Sequence, residues 1–369
     1  MDKHELGTPA LLVDLDIMDR NIQKFSEVAR CNGVRLRPHA KTPKVPAICH
    51  RLIAAGAKGV CLATLDEAWA MVVGGITDLL IPYPIVGERR VRELGRLMDY
   101  ADVTVEVDTF EVAEALDQEM KRIGRTLGTC VKIDIGSRRF GLAPEPAGVI
   151  AFVQQLLKLE NLRFEGLITF AGGLSHLAPS EIKNVGRREG ETMVALAQAL
   201  RGADIPVKEV SVGSTSTAQH AAQVPGVTEI RPGTFVFYDV TMLDRAVCAE
   251  EDCALTVLAM VVDRPTPDRV ILDAGTKALT YARHKPEAGY GLVKGSGGLR
   301  LARVTEEHGL LEGHGLASQF RLGQTVEIIP NACGEALNLF NEIHAVHVDT
   351  VQVTWRIPAT GYSQYAGRG

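Results

Sequence analysis

From residue 34 to about residue 235 the chain repeats one unit, a short apolar run followed by an amphipathic stretch of helical period. Strand-like runs fall at 34–39, 59–64, 78–82, 102–108, 130–136, 164–170, 207–213 and 228–232. Stretches such as 67–73, 89–98, 111–123, 147–159 and 188–200 separate them. Eight strands with seven crossovers predict an α/β fold, a (β/α)8 barrel. A doubly wound open sheet is the runner-up, but no glycine fingerprint follows the first strand. Past about residue 249 the texture changes to short alternating runs at 255–262, 269–273, 324–329 and 350–355, separated by glycine- and proline-rich turns. That pattern predicts a C-terminal all-β domain. The expected division is therefore a barrel over 20–248 and a β domain over 249–369, with an N-terminal strand at 8–16 pairing to the latter.

Strand faces sharpen the picture. Val103, Val105 and Val107 alternate with Thr104, Glu106 and Asp108, and Val131, Ile133 and Ile135 with Lys132, Asp134 and Gly136. In a barrel one face of each strand packs on helices and the other points inward. The interior is thus expected to hold Arg35, Arg37, Glu106, Lys132 and Asp134, with the arginines pairing Glu106 and Asp134.

The first strand is the most unusual. Residues 34–44 read VRLRPHAKTPK, so Arg35, Arg37, His39 and Lys41 share one phase. Four basic groups aimed at a buried surface call for an anion or for chemistry. Thr42-Pro43 ends the run and leaves Lys41 at its mouth, where a lysine suits Schiff-base chemistry. A solvated edge strand is the bland alternative. Two further constellations sit at later strand ends. In VGSTST (212–217), Gly213, Ser214 and Thr215 follow the seventh strand, where barrels commonly bind phosphate. In EIRPGTFVFYD (229–239), Arg231 ends the eighth strand and Tyr238 lies within reach of the same mouth.

Composition narrows the partners. A net charge of -5 gives no nucleic-acid footprint, and no apolar run reaches membrane-spanning length. The start, MDKHELGTPA, lacks a signal-peptide core. Seven scattered cysteines without a CxxC pair suit a reduced, cytoplasmic protein.

RPHAKTPK resembles the lysine motif of the fold-type III pyridoxal-phosphate enzymes, in the branch of D-threonine aldolase and D-serine dehydratase. GTPALLVDLD, DIGSRRFG (134–141), VGSTST, EIRPGTFVFYD and LDAGTKAL (272–279) resemble that branch in the same order, across nearly the whole chain. The resemblance implies an alanine-racemase-type barrel with a β domain, a homodimer, and a small amino-acid substrate. It implies pyridoxal 5'-phosphate carried by Lys41, with His39 packed beside the linkage. Gly213, Ser214, Thr215 and Tyr238 are the implied phosphate partners, Arg139 the neighbour of the phenolic oxygen, and Arg231 that of the pyridine nitrogen.

Two departures bear on the reaction. The branch carries a metal motif shaped like Pro-Asn-His-x-Cys/Asp, and here 330–334 reads PNACG, so the ligand positions fall on Ala332 and Gly334. This weighs against a divalent metal. His344, His347 and Asp349 lie nearby in sequence, where a solvated turn is the competing reading. An aromatic-His-Gly series becomes Phe170-Ala171-Gly172, leaving His176 as the candidate acid–base group. The implied activity is a lyase of D-threonine-aldolase type, splitting Cα–Cβ of a D-β-hydroxy-α-amino acid into glycine and an aldehyde, without a metal requirement. A metal-independent racemase or epimerase is the runner-up, with Lys41 and Cys333 as opposed bases. A D-serine-dehydratase-like deaminase is a third reading, disfavoured because hydroxide loss needs a Lewis or strong general acid. A non-catalytic carrier fits least, since such single-barrel proteins lack a β domain.

Overall fold

The computed structural model describes residues 1–172, 174 and 177–360. The described residues divide into two compact units, one of residues 23–233 and the other of residues 1–22 with 234–360. No described helix is long and apolar enough to cross a membrane.

Strand β1 (Ala10–Asp14) belongs to the second unit. The first unit holds β2 (Arg35–Leu36), β3 (Val60–Cys61), β4 (Asp78–Ile81), β5 (Asp102–Val107), β6 (Leu127–Ile133), β7 (Leu162–Thr169), β8 (Glu209–Val212) and β9 (Glu229–Ile230). All eight runs read from the sequence are strands of one parallel sheet, ordered β2-β9-β8-β7-β6-β5-β4-β3. The sheet curls until its ends meet. His39 bridges Cys61, the Lys58 N–H donates to the Leu36 carbonyl at 2.9 Å, and the Cys61 N–H donates to Pro38 at 2.8 Å. Prolines at 38 and 43 keep β2 to two residues, so Lys41 sits on the turn that follows, not on a strand.

Helices fill the crossovers for legible local reasons. Thr64 caps the helix Leu65–Val73 by accepting the Glu67 N–H, and Gly124, left-handed at φ 67, ends Phe110–Ile123. Gly166 is required at φ +155: a Cβ there would lie 2.0 Å from the Glu209 carbonyl oxygen, where the β6–β7 register shifts.

The interior is layered. Cys61, Leu80, Cys130 and Ile168 form one buried apolar cluster. A polar cavity of about 300 Å³, lined by residues including Arg37, Lys58, Asp102, Arg163 and Glu229, lies at the end where the strands begin. The expected charged interior is present, but its pairing differs from expectation. Arg37 bonds Glu229 at 2.9 Å and Asp78 at 2.6 Å, Arg35 pairs Glu209, and Glu106 pairs Lys132 at 3.3 Å. Asp134 is outside the ladder and folds a turn instead. Strand register decides this: Arg35 stands opposite Glu229 and Ser211 opposite Glu229 across β2–β9–β8, bringing together residues nearly two hundred apart.

In the second unit β1 is a central strand, buried from Ala10 to Val13. It pairs antiparallel with β10 (Leu255–Thr266) and parallel with a later strand, β16, through Leu12 opposite His344. The remaining strands are β11 (Arg269–Leu272), β12 (Leu292–Val293), β13 (Arg303–Val304), β14 (Gly309–Glu312), β15 (Thr325–Ile329), β16 (Glu342–His347) and β17 (Thr350–Arg356). They form a mostly antiparallel sheet in the order β13-β14-β11-β10-β1-β16-β17, with β15 also on β10 and β12 on β15.

Candidate active site

The strand C-termini of the barrel bring Lys41, His39, Arg231 and the 213–217 turn to one end. Lys41 is open to solvent, yet protein atoms surround it, as expected of a group in a concave mouth. That burial lowers its pKa, and the Arg139 charge adds to the effect against Cys61 and Glu67. No carboxylate pairs its Nζ among the described residues, and the Nζ lies over the Phe170 ring, 5.9 Å from the centroid. A lysine accessible, partly desolvated and unpaired has a raised neutral fraction at physiological pH, the state that acts as a nucleophile.

His39 is held neutral, chiefly by burial and then by the charges of Lys41, Arg231 and Lys132. Its Nδ1 accepts the Lys41 backbone N–H at 3.4 Å, and the ring also hydrogen-bonds the Cys61 backbone. The imidazole therefore shapes the turn that presents Lys41. Gly233 lies behind it, where a Cβ would come 2.7 Å from the His39 carbonyl oxygen.

Arg139 comes from the loop after β6. Asp134 Oδ1 accepts the N–H groups of Gly136 at 2.9 Å and Ser137 at 2.7 Å, folding the loop tightly, and those bonds hold the carboxyl below its usual range against burial. The Arg139 guanidinium then lies 5.1 Å from the Phe170 ring and 5.4 Å from Phe140, with Lys132 at 5.3 Å on Phe140. Cations and rings thus alternate from Lys41 through Phe170, Arg139 and Phe140 to Lys132.

Gly213, at φ +94, turns the chain after β8, and a Cβ there would crowd Ala218 at 3.2 Å. Its N–H is spent internally on Glu189 Oε1 at 2.9 Å, and the Ser214 N–H goes to Thr217 Oγ1 at 3.1 Å. Gly213 therefore contributes shape, and the turn carries four hydroxyl side chains, Ser214, Thr215, Ser216 and Thr217, with Thr215 Oγ1 accepting the Gly233 N–H at 3.2 Å. Glu189, on the helix Pro179–Gly202, was missed in the sequence. It is buried and also accepts the Ala171 N–H at 3.2 Å, so it ties the ends of β7 and β8 together. Buried Arg231 donates from Nη1 to Ser211 Oγ at 2.6 Å and from Nη2 to the Thr169 carbonyl. His176 lies outside the described residues.

Tyr238 and Cys333 belong to the second unit. Tyr238 is buried at φ 52, and burial raises its phenol. Cys333 is buried, and burial first and then Asp239 push its thiol well up, which counts against it as a base. Asp239 organises this loop, accepting the N–H groups of Met242 at 2.9 Å and Cys333 at 3.1 Å. Asn331 is also a strut, donating to the carbonyls of Ala282 at 2.9 Å and Gly289 at 2.8 Å. His344 bonds Thr354 at 2.9 Å, His347 pairs Asp16 at 2.8 Å and Asp349 pairs Lys3 at 2.8 Å, so each meets a different partner. No group of three or more histidine, cysteine, aspartate or glutamate side chains placed to hold a metal ion occurs among the described residues.

Asp239 carries a pH prediction. Burial raises its carboxyl from 3.8 to about 6, against the opposing N–H bonds. The folded state therefore favours the protonated form, and the associated stability is full below pH 3.8 and lost as pH rises through about 6. Comparing unfolding of wild type and Asp239→Asn from pH 4 to 7, the wild type's relative stability should fall by about 3 kcal/mol. A pH-independent difference would show that Asp239 is ionised throughout.

Comparison with known proteins places these features. The alanine racemase N-terminal domain model matches residues 13–240, and a serine dehydratase domain model matches residues 254–346. A D-threo-3-hydroxyaspartate dehydratase of Delftia sp. (strain HT23) is 34% identical, over 95% of this chain and 97% of that one. A D-threonine aldolase of Arthrobacter sp. is 32% identical, over 97% and 94% respectively. The crystal structure of D-threonine aldolase from Filomicrobium marinum superposes with a TM-score of 0.88 at 31% identity, covering 96% of this chain and 95% of that one.

Proposed function

We propose that this chain, which belongs to the alanine-racemase-type family of D-threonine aldolases and D-serine dehydratases, is a pyridoxal-phosphate-dependent lyase of D-β-hydroxy-α-amino acids. The observation that carries the reading is Lys41, exposed to the barrel mouth, lowered in pKa and without a carboxylate partner among the described residues. The donor set around it fits the cofactor. Lys41 would carry it, Ser214 and Thr215 would meet its phosphate, Arg139 its phenolic oxygen and Arg231 its ring nitrogen. Bound there, the cofactor supplies an electron sink that lets a bond at Cα break heterolytically.

The chain's own groups supply the rest. The Lys41 amine takes and returns protons on one face. Neutral His39 orients it without adding charge. Arg231, whose guanidinium can only donate, would disfavour protonation of a ring nitrogen held beside it, which would restrain the sink and narrow the chemistry. We place proton removal from the β-hydroxyl on His176, the imidazole that follows Ala171 in sequence. Cleavage of Cα–Cβ needs only that base, whereas hydroxide loss needs a stronger acid. Ala332 and Gly334 offer no ligating side chain, so cleavage is read as metal-independent. A cytoplasmic homodimer goes with this reading.

The holoenzyme is to be incubated with D-threonine, D-phenylserine and D-3-hydroxyaspartate, with and without a chelator. Glycine and the matching aldehyde should appear at equal rates in both. An oxo acid with ammonia would make it a dehydratase, as the Delftia relative is named. Deuterium entry at Cα without cleavage would make it a racemase.

A further inference from the structure

A buried chain of polar groups crosses the barrel from floor to mouth, and its sense is fixed by chemistry. Ser211 Oγ donates to Glu229 Oε1 at 2.6 Å and accepts from Arg231 Nη1 at 2.6 Å. A carboxylate can only accept and a guanidinium can only donate, so the hydroxyl has one possible orientation between them. Glu229 Oε2 in turn accepts Arg37 Nε at 2.9 Å, and Arg37 Nη1 reaches Asp78 at 2.6 Å. Arg37, Ser211, Glu229 and Arg231 are each at most 5% exposed. Burial is the largest single influence and works against ionising Glu229, but Arg37, Ser211 and Arg231 together outweigh it and hold the carboxyl below its usual range. Arg37, Ser211 and Glu229 also line the polar floor cavity.

We propose that Glu229, acting through Ser211, is a positioning residue that orients the Arg231 guanidinium and partly balances its charge, and so sets the electrostatic demand that Arg231 makes on a ring nitrogen at the mouth. This rests on the pyridoxal-phosphate reading above. Arg231 needs such a hold because one Nη reaches only a backbone carbonyl, which fixes a point but supplies no countercharge. The hydroxyl transmits the carboxylate's charge without placing a second anion at the mouth. A direct Arg231–Glu229 pair would neutralise the guanidinium more fully. Among the described residues, the other titratable or charged groups that act on or with Arg231 include His39, Cys61, Glu106, Cys130, Lys132 and Glu189, and the changes below alter none of them.

The readout is the pH titration of the visible spectrum of the lysine-bound cofactor in holoenzyme, together with thermal unfolding. Glu229→Gln leaves the Arg231 charge less compensated, which disfavours protonation nearby, so the spectral midpoint should fall by about one pH unit. Ser211→Ala should give part of that fall, and Ser211→Thr, which keeps the hydroxyl, should restore the wild-type midpoint. If Glu229→Gln does not fold, the two Ser211 variants decide. Variants with lowered melting temperature but an unshifted midpoint would overturn the inference, leaving Glu229 a structural ion-pair partner. A wild type that forms no visible band with pyridoxal phosphate would overturn the cofactor reading itself, and this inference with it.

Discussion

Lys41→Ala should retain the fold and lose both the visible cofactor band and turnover. Lys41 stands on a solvent-open turn after β2, and its side chain makes no ion pair among the described residues. Removing it costs the protein little packing; an exposed change of this kind usually moves stability by about 0.5 kcal/mol or less. The functional loss is large because one group does two jobs. It anchors the cofactor, and it supplies a base whose removal alone typically costs about 10²–10⁴-fold. Circular dichroism and the melting temperature should match wild type while cleavage of D-threonine drops by at least that factor. An unchanged spectrum would mean that another lysine carries the cofactor.

Breaking the Glu106–Lys132 pair should have the largest effect on stability. The two side chains are 2% and 4% exposed and lie 3.3 Å apart inside the barrel. Burial lowers Lys132 and raises Glu106, each opposed by the other's charge. Either alone would be an uncompensated buried charge, so Lys132→Met is expected to cost about 3 kcal/mol or more, read as a lower denaturant midpoint at unchanged slope. The double change Glu106→Leu, Lys132→Met should recover much of that, because two apolar groups remove both desolvation penalties. Function should still suffer in the double variant. Lys132 also covers the Phe140 ring that Arg139 lies against, so its loss loosens the Arg139 loop. A single-variant cost below about 1 kcal/mol would mean that water reaches the pair.

Much of the barrel was legible in the sequence because strand and helix periods are local signals. All eight strand positions were found, and the basic phase of residues 34–41 pointed at the mouth. The ion pairs were not legible. Arg37 meets Glu229, 192 residues away, because β2 lies beside β9 when the ring closes, and no local pattern encodes that register. Glu189 was missed because it reads as one more polar position of an amphipathic helix. A signal did exist in the flanking Gly186 and Gly190. Mid-helix glycines cost about 1 kcal/mol each relative to alanine, so a pair marks a close approach. Here a Cβ on Gly186 would lie 2.7 Å from the Thr217 carbonyl oxygen, and one on Gly190 2.8 Å from Val224. The helix is pressed against the turn that Glu189 braces. Tyr238 was named from the family pattern and Cys333 from the loop that departs from it, and burial of both, with the thiol raised, is a tertiary property that the sequence pattern does not carry.

The central claim is that Lys41, of all the lysines in the chain, carries the cofactor. Holoenzyme reduced with borohydride, digested and mapped by mass spectrometry tests it most directly. The account predicts a single pyridoxyl-phosphate adduct, on Lys41; an adduct confined to another lysine, or no adduct at all, would contradict it.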